Sequence, residues 1–379
     1  MQPRVPTRIV RHARLPVWPA WQGVALLAMS QVPALRPAAD ALEGWFGGRV
    51  CPIQLDAAES DPFILLVHHR HSFRPLDFFR PLFSALILPE GFPAHPHRGF
   101  ETVTYVLPER GGLIHRDSEG CKMRYGFGAC QWMTAGRGML HEEMWDVDAA
   151  TDHELYQLWV NLPPKHKFDE PRVQLLTTPS SSQGRAAAAV EREGSTVVRR
   201  ASIPEVATRG GDALVRTLAG DAGVEGGAEG EGGAQTYSPI TVAHVELRRA
   251  GASHSVPLPD GWTCFVYVRR GKVEIGGKTA STYDTVYLPR AGGDCVSIAA
   301  LDDGADAMVF AGEPIGAPVI ASGTMVMNSE AEVQQANRDY QRGAFGVPWD
   351  HKLPDEDWAR ACDEEAPRRR AMFGARRAG

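Results

Sequence analysis

The chain has 379 residues, of which 43% are hydrophobic and 23% charged, and its formal net charge is −6. This length accommodates two ordinary soluble domains, and the negative charge gives no reason to expect direct nucleic-acid binding. The six cysteines are scattered without a CxxC pair, which argues against a disulfide framework or a cysteine-based zinc site and favours a reducing compartment. The 39 glycines and 28 prolines favour many short strands over long helices.

Residues 1–41 form an extension that differs from the rest of the chain in charge. Its first 39 residues contain five arginines and no acidic residue, which is typical of an organelle transit segment. A disordered arm or an upstream gene-model artefact would look the same, and a cleaved secretory signal is a weaker alternative. Three prolines interrupt the apolar stretch 15–35, so it cannot supply the roughly 20 apolar residues of a membrane span. We expect no membrane contact and an intracellular protein of the cytoplasm or nucleus, unless the extension directs it to an organelle.

Residues 42–178 predict the first β-domain. Runs rich in β-branched and aromatic residues are bounded there by glycine, proline or aspartate, as is typical of strands. The clearest runs are 63–67, 102–107, 122–127 and 156–162.

Residues 179–235 predict a linker with a glycine-rich insertion. The segment 220–233 cannot bury enough apolar surface to fold, although 213–218 is a predicted strand. Residues 236–345 then predict a second β-domain from closely spaced strand signals without helical patterns between them. These signals lie at 241–247, 263–268, 272–275, 285–288, 295–298 and 307–310.

The C-terminal part combines one helical pattern with a charged tail. Ser329 can cap a helix over 330–342, whose first turn is acidic. Residues 346–379 are first acidic and then basic, which predicts a solvated tail whose basic cluster allows a nuclear address. The predicted fold class is therefore all-β, with two antiparallel β-barrel domains and a short C-terminal helix.

Two short motifs in the first domain predict a metal site. In an extended strand, His95 and His97 share one face about 7 Å apart. His141 and Glu143 repeat this spacing with an imidazole and a carboxylate, whereas Glu142 points to the opposite face. If the two strands lie side by side, roughly 4.8 Å apart, four ligands converge.

Three imidazoles and one carboxylate suit one divalent transition metal. Fe(II), Cu, Ni, Mn and Zn would bind such a set, whereas Ca and Mg prefer oxygen ligands. Four protein ligands on a six-coordinate ion would leave two adjacent positions for water, substrate or dioxygen.

The first domain resembles the pirin family of the cupin superfamily. The similarity is carried by the segments 91–101 (GFPAHPHRGFE), 131–144 (QWMTAGRGMLHEEM) and 157–163 (QLWVNLP), and it extends from about residue 44 to about residue 328. The resemblance implies a bicupin with one metal, usually iron, in the N-terminal domain. Its ligands would be His95, His97, His141 and Glu143. Glu101 lies where many other cupins place a ligand carboxylate, and the resemblance assigns it to the surroundings of the site or to structure.

The resemblance also implies a function. Some pirins resemble quercetin 2,3-dioxygenases, which open the flavonol ring with O2. In that chemistry the metal is a Lewis acid for the flavonol 3-oxygen, and Glu143 is the general base. No dinucleotide-binding fingerprint is seen, so we expect neither nicotinamide nor flavin.

Two other functions fit the same site. One is a non-catalytic, iron-dependent transcriptional co-regulator whose transcription-factor partner would supply DNA specificity. The other is a stress-associated protein whose activity is incidental. The resemblance further implies a monomer.

We expect the remaining histidines not to bind a metal. We expect His244 and His254 of the second domain to be isolated and this domain to hold no metal. The run 68–71 (HHRH) is interpreted as a loop insertion near the mouth of the first barrel.

Overall fold

The protein consists of two β-domains, seen here in a computed structural model. It describes residues 1–16, 28–29, 31–43, 47–72, 90–147, 151–179, 181, 188–208, 210–224 and 233–374. Within these residues each domain consists of two main sheets that enclose a core and are not joined into one closed barrel. The predicted all-β, two-domain fold is confirmed, in the form of jelly-roll sheets.

The N-terminal domain pairs an eight-stranded sheet with a five-stranded sheet. The strands of the larger sheet, in spatial order, are β14 (Val197–Ser202), β12 (Arg172–Thr177), β9 (Cys130–Thr134), β6 (Phe100–Val106), β11 (His153–Asn161), β4 (Phe63–Ser72), β3 (Gly47–Gln54) and β2 (Leu15–Pro16). Those of the smaller sheet are β13 (Ala189–Arg192), β8 (Lys122–Tyr125), β7 (Leu113–Asp117), β10 (Met139–Trp145) and β5 (Gly91–His97). β5 is therefore an edge strand whose neighbour in the sheet is β10.

The C-terminal domain repeats this plan with a seven-stranded and a four-stranded sheet. The larger sheet contains, in spatial order, β1 (Arg8–Arg11), β22 (Asp284–Leu288), β19 (Thr263–Arg270), β24 (Ala305–Gly312), β17 (Ile240–Leu247), β16 (Ala213–Ala219) and β15 (Glu205–Ala207). The smaller contains β18 (Ser253–Pro257), β23 (Cys295–Ala300), β20 (Lys272–Ile275) and β21 (Lys278–Ser281). A hairpin of β25 (Ile320–Ser322) and β26 (Met325–Met327) follows.

Helices occupy little of the described chain. The α-helices are α1 (Arg36–Glu43), α2 (Ala57–Ser60), α3 (Glu330–Gln341) and α4 (Asp355–Gly374), and 3-10 helices span Pro33–Leu35 and Pro164–His166. The side chain of Ser329 accepts a hydrogen bond from the Glu332 amide at the start of α3, so the predicted helix and its cap are confirmed. No helix among the described residues is long and apolar enough to cross a membrane.

The large sheets of the two domains pack against each other. Their central strands are therefore buried on both faces. Every residue of β6 is buried. Val103 and Tyr105 belong to a core shared with the second domain, whereas Val106 belongs to the core of the first domain. Because side chains alternate along a strand, Thr102 and Thr104 face the interior of the first domain with Val106. This alternation decides which polar residues can reach the site.

Residues 1–11 are part of the second domain, whereas β2 joins the large sheet of the first. β1 pairs with β22 at the edge of its large sheet. Arg4 is 0% exposed, and its guanidinium donates to five backbone carbonyls, those of Leu258, Pro259, Trp262, Pro289 and Gly293, at 2.6–3.1 Å. Residues 1–16 thus differ from the disordered arm that we considered. Of the prolines predicted to interrupt a membrane span, Pro16 lies in β2 and Pro33 begins a 3-10 helix, whereas Pro19 lies outside the described residues.

The predicted linker also contains structure. β13 and β14 add to the two sheets of the first domain, and β15 and β16 belong to the second, with the predicted strand at 213–218 confirmed. β12 and β14 are parallel, and the other pairings of named strands are antiparallel. Most of the glycine-rich segment lies outside the described residues.

The predicted solvated tail at 346–379 is wrong for its described part. Residues 355–374 form α4, in which Trp358, Cys362, Ala366 and Arg369 are buried. Their spacing of three to four residues lines one helical face, and this face packs on the smaller sheet of the first domain. The alternation of acidic and basic runs concealed this face in the sequence.

Candidate metal centre

The two predicted motifs lie on neighbouring antiparallel strands. In the pairing of β5 with β10, His95 lies opposite His141, and His97 opposite Met139. The register shifts after His141: the step from His141 to Glu143 covers two residues of β10, whereas their partners on β5, His95 and Phe92, are three residues apart. Such a bulge re-aims side chains at a functional site.

The three imidazoles converge on one point. His95, His97 and His141 each offer a ring nitrogen within 4.8 Å of the others. The Nε2 atoms of His95 and His141 are 3.1 Å apart. Two nitrogens bound to one metal ion at about 2.1 Å and at right angles would be about 3.0 Å apart. The spacing therefore fits two adjacent ligands of a single ion.

Hydrogen bonding and burial leave these nitrogens free to bind a cation. His95 Nδ1 lies 2.8 Å from the Pro93 carbonyl, so Nδ1 carries the proton and Nε2 keeps its lone pair. Among the described residues, neither ring nitrogen of His97 has a hydrogen-bond partner, although its side chain is only 2% exposed. Burial lowers the pKa of His95 and holds the pKa values of His97 and His141 well below their usual range. Neutral imidazoles with orphaned nitrogens are what a metal ion needs.

Glu143 lies beside this cluster but outside the group of converging ligand atoms. Its Oε1 accepts hydrogen bonds from Thr104 Oγ1 at 2.9 Å and Tyr125 Oη at 2.5 Å, and its Oε2 accepts from Gln157 Nε2 at 2.8 Å. Burial, and then the nearby Glu143, raise the pKa of Tyr125 well above its usual range, so the phenol remains a donor. Three donors therefore hold the carboxylate in this orientation.

The other two candidate carboxylates face away from the histidines. Glu101 lies on the same face of β6 as Val103 and accepts a hydrogen bond from Thr134 Oγ1 at 2.6 Å. Burial raises its pKa to about 7. Glu142 is also buried, and its carboxylate accepts from Arg116 Nε on the opposite face of β10. Strand alternation separates both residues from the cluster.

His115 is a neighbour of the site that we did not predict. It lies on β7 opposite Glu143, with its ring centre 5.5 Å from that of His141. Its Nε2 is 3.1 Å from the Asp117 carboxylate, and both side chains are completely buried. The i and i+2 spacing of His115 and Asp117 on one strand could have predicted that their side chains lie on the same face.

Aromatic rings cover one side of the cluster. The His97 ring lies 5.1 Å from Phe100 and 5.7 Å from Trp159, measured between ring centres. These rings lower the local polarity and exclude water from His97.

The histidine run at 68–71 is not a loop. It belongs to β4 and pairs with β11. His68 contacts the Glu154 carboxylate at 3.0 Å and the Tyr267 hydroxyl at 2.9 Å. His69 and His71 are buried, and burial lowers the pKa of His69 to about 3. The predicted loop insertion is therefore wrong for residues 68–72, and residues 73–89 lie outside the described range.

His244 of the second domain is not isolated either. Glu246 follows two residues later on β17, Asp306 lies on the neighbouring β24, and the three offer ligand atoms within 4.8 Å of one another. However, Arg216 binds Glu246 at 2.5 Å, and Arg269 binds Asp306 at 2.7 Å. These guanidinium groups already neutralise the carboxylates, so a metal ion would have to displace them.

Two jelly-roll domains, with a three-histidine cluster and a buried carboxylate in the first, define a two-domain cupin. The Pirin family model matches residues 50–160, and the model of the pirin C-terminal cupin domain matches residues 242–346. The chain belongs to the pirin family.

Individual relatives support this assignment. Pirin-1 of Arabidopsis thaliana is 32% identical over 77% of this chain and 86% of its own length. Human Pirin is 36% identical over 67% of this chain and 79% of its own length. The crystal structure named quercetin 2,3-dioxygenase from Acinetobacter baumannii has 27% identity and a TM-score of 0.66, covering 91% of this chain and 99% of the other.

Proposed function

We propose that this protein is a metal-dependent dioxygenase of the quercetin 2,3-dioxygenase type, which opens the heterocyclic ring of a flavonol with O2. The observation that carries the proposal is the convergence of three neutral imidazoles beside a buried, hydrogen-bonded carboxylate, Glu143. The similarity to the Acinetobacter baumannii structure of that name supports it.

The cofactor in this proposal is one divalent transition metal, with Fe(II) as the first candidate. His95, His97 and His141 would hold it, and Glu143 would be the fourth ligand if its carboxylate turns towards them. When bound, the metal supplies a Lewis acid that favours the ionised form of a substrate hydroxyl.

Glu143 would accept the proton of that hydroxyl while its carboxylate is released from the metal. Oε1 already receives two hydroxyl donors, whereas Oε2 receives only the Gln157 amide. A carboxylate oxygen has two lone pairs, so Oε2 retains one for the substrate proton. Thr104 and Tyr125 then fix the carboxylate while the proton is held on Oε2.

Partly exposed residues on the inner face of the large sheet give the substrate access. Gln157 and Trp159 on β11 lie opposite Val67 and Leu65 on β4, and all four are only half-buried although their strands are central. Interior residues that keep solvent exposure indicate open space beside the cluster. Its lining of indole and aliphatic groups suits a planar aromatic molecule.

Oxygen consumption with quercetin tests the proposal. Full-length protein stripped of metal and reloaded anaerobically with Fe(II) should consume O2 and release carbon monoxide when quercetin is added. Glu143→Gln should lower kcat by about 100-fold or more, because an amide cannot accept the proton. Glu101→Gln is the matched control, since Glu101 is equally buried but faces away, and it should retain turnover.

Metal-loaded wild-type protein that consumes no O2 with any flavonol would contradict this function. In that case the alternative of an iron-dependent transcriptional co-regulator would be favoured. Affinity for a transcription-factor partner that differs between the Fe(II) and Fe(III) forms would then be the relevant measurement.

A further inference from the structure

The segment 325–374, here named the C-terminal strap, leaves the second domain and crosses the metal-binding sheet of the first. It comprises β26, α3, α4 and the residues that join them. Its first contact is with the chain just after the HxH motif, where the Val326 amide donates to the Arg98 carbonyl at 3.0 Å. The strap then contacts both strands that carry the candidate ligands.

Arg98 connects the strap to β5. It directly follows His97, is 0% exposed, and donates to the Asp339 carboxylate of α3 at 2.8 Å. Its guanidinium also lies 4.5 Å from the centre of the Phe345 ring. Because β5 is an edge strand with one neighbour in its sheet, these contacts give its end a second support beside the pairing with β10.

Arg116 connects the strap to β10. It lies on β7 and binds Glu142, the residue between His141 and Glu143. Its other nitrogens donate to strap carbonyls, to that of Leu353 at 2.7 Å and that of His351 at 3.0 Å.

The Arg116 bonds form one buried unit with little freedom. Arg116 is 5% exposed, Glu142 is 1% exposed, and Trp358 of α4 covers the guanidinium at 5.4 Å. A planar guanidinium bound on three sides fixes its partners in position as well as in charge. The β10 backbone is thereby fixed at the point between two candidate ligands, next to the register shift.

We propose that Arg98 and Arg116 are positioning residues through which the C-terminal strap sets the metal affinity of the first domain. This inference rests on the proposed metal site, although it does not depend on the reaction. Groups that orient ligands from outside the coordination shell change metal affinity by about 10–100-fold when they are lost. Because binding linkage is reciprocal, metal binding in turn holds the strap on the sheet.

Metal affinity of Arg116→Met, measured by competition with a chelator, tests the proposal. Arg192→Met is the matched control. Arg192 also bridges to α4, through Asp363 at 2.7 Å, and lies 5.9 Å from the centre of the Trp358 ring. However, it belongs to β13, at the edge of the sheet opposite β5.

Arg116→Met should weaken Fe(II) binding by about 10–100-fold. The Fe(II) affinity of Arg192→Met should stay within about twofold of wild type, because the loss of a strap contact far from β5 and β10 leaves the ligand strands in place. Arg116→Lys should bind metal with intermediate affinity, since a lysine keeps the charge beside Glu142. Asp339→Asn is a second variant, for the case in which Arg116→Met folds poorly. It weakens the bond to Arg98 from the strap side and should also lower the metal affinity. In wild-type protein, metal should slow hydrogen exchange in α4.

Wild-type affinity in both folded Arg116→Met and Asp339→Asn would overturn the inference, as would an equal loss of affinity in Arg192→Met. A wild-type chain that takes up no metal would overturn it together with the proposed function. Normal metal binding with no flavonol turnover would contradict only the proposed function.

Discussion

At the scale of single residues, alternation along strands sorts three buried glutamates into three roles. Glu143 shares the interior face with the histidines, Glu142 faces the C-terminal strap, and Glu101 faces the neighbouring domain. The sequence predicted the separation of Glu142 from Glu143, because a period of two is a property of any strand. The partners of Glu143 could not be predicted, because Thr104, Tyr125 and Gln157 come from three other strands whose register is set by long-range pairing.

The raised pKa of Glu101 predicts a stability that depends on pH. Its folded-state pKa of about 7 lies above the usual 4.5, so the folded state binds the proton more tightly and is destabilised as pH rises between these values. Glu101→Gln removes this ionisation. It should raise the free energy of unfolding by up to about 3 kcal/mol at pH 8 and have little effect at pH 5.

Urea unfolding of wild type and Glu101→Gln at both pH values measures the effect. An equal change at pH 5 and pH 8 would show that ionisation of Glu101 does not contribute.

At the scale of elements, buried arginines hold both ends of the described chain. From the sequence alone, these arginines would be expected at the surface. Arg4 and Arg369 are buried among backbone carbonyls and side chains distant in sequence. The arginine-rich start therefore indicated a solvated or targeting segment, because no local pattern reveals a distant acceptor. The buried face of α4 could have been predicted from the sequence, because Trp358, Cys362 and Ala366 recur every four residues.

The five carbonyls bound by Arg4 predict a large loss of stability on its removal. Arg4→Met should lower the free energy of unfolding by about 3 kcal/mol or more, because buried acceptors are left without a donor. Arg11→Met is the control from the same segment. Arg11 is largely exposed, and its buried partner Asp284 keeps a hydrogen bond from the Ser281 amide, so its loss should cost about 1 kcal/mol or less.

Chemical denaturation of the two variants at neutral pH compares these costs. Equal and small losses would show that residues 1–11 contribute little to the second domain.

At the scale of the whole molecule, a buried polar network joins the two domains. Arg269 of β19 binds Glu154 of the first domain at 2.9 Å and Asp306 of the second at 2.7 Å. Burial alone would raise the pKa of Glu154, yet the hydrogen bonds from His68 and Arg269 hold it below its usual range. Two domains with a shared apolar core and such a network are expected to behave as one structural unit.

The two domains also differ in the groups that bind the carboxylates beside their histidines. In the second domain arginines bind both Glu246 and Asp306, whereas in the first domain the donors to Glu143 are Thr104, Tyr125 and Gln157. The two-domain β fold was predictable from strand spacing. The arginine pairing was not, because Arg216, Arg269 and their partners lie on separate strands.

The metal content of the full-length chain tests the central claim most directly. Protein stripped with a chelator and reloaded anaerobically with Fe(II) is analysed by mass spectrometry of the metal. The proposed function predicts one tightly held iron per chain, lost in the double variant His97→Ala/His141→Ala. No bound iron in the wild type, or an undiminished content in the double variant, would contradict it.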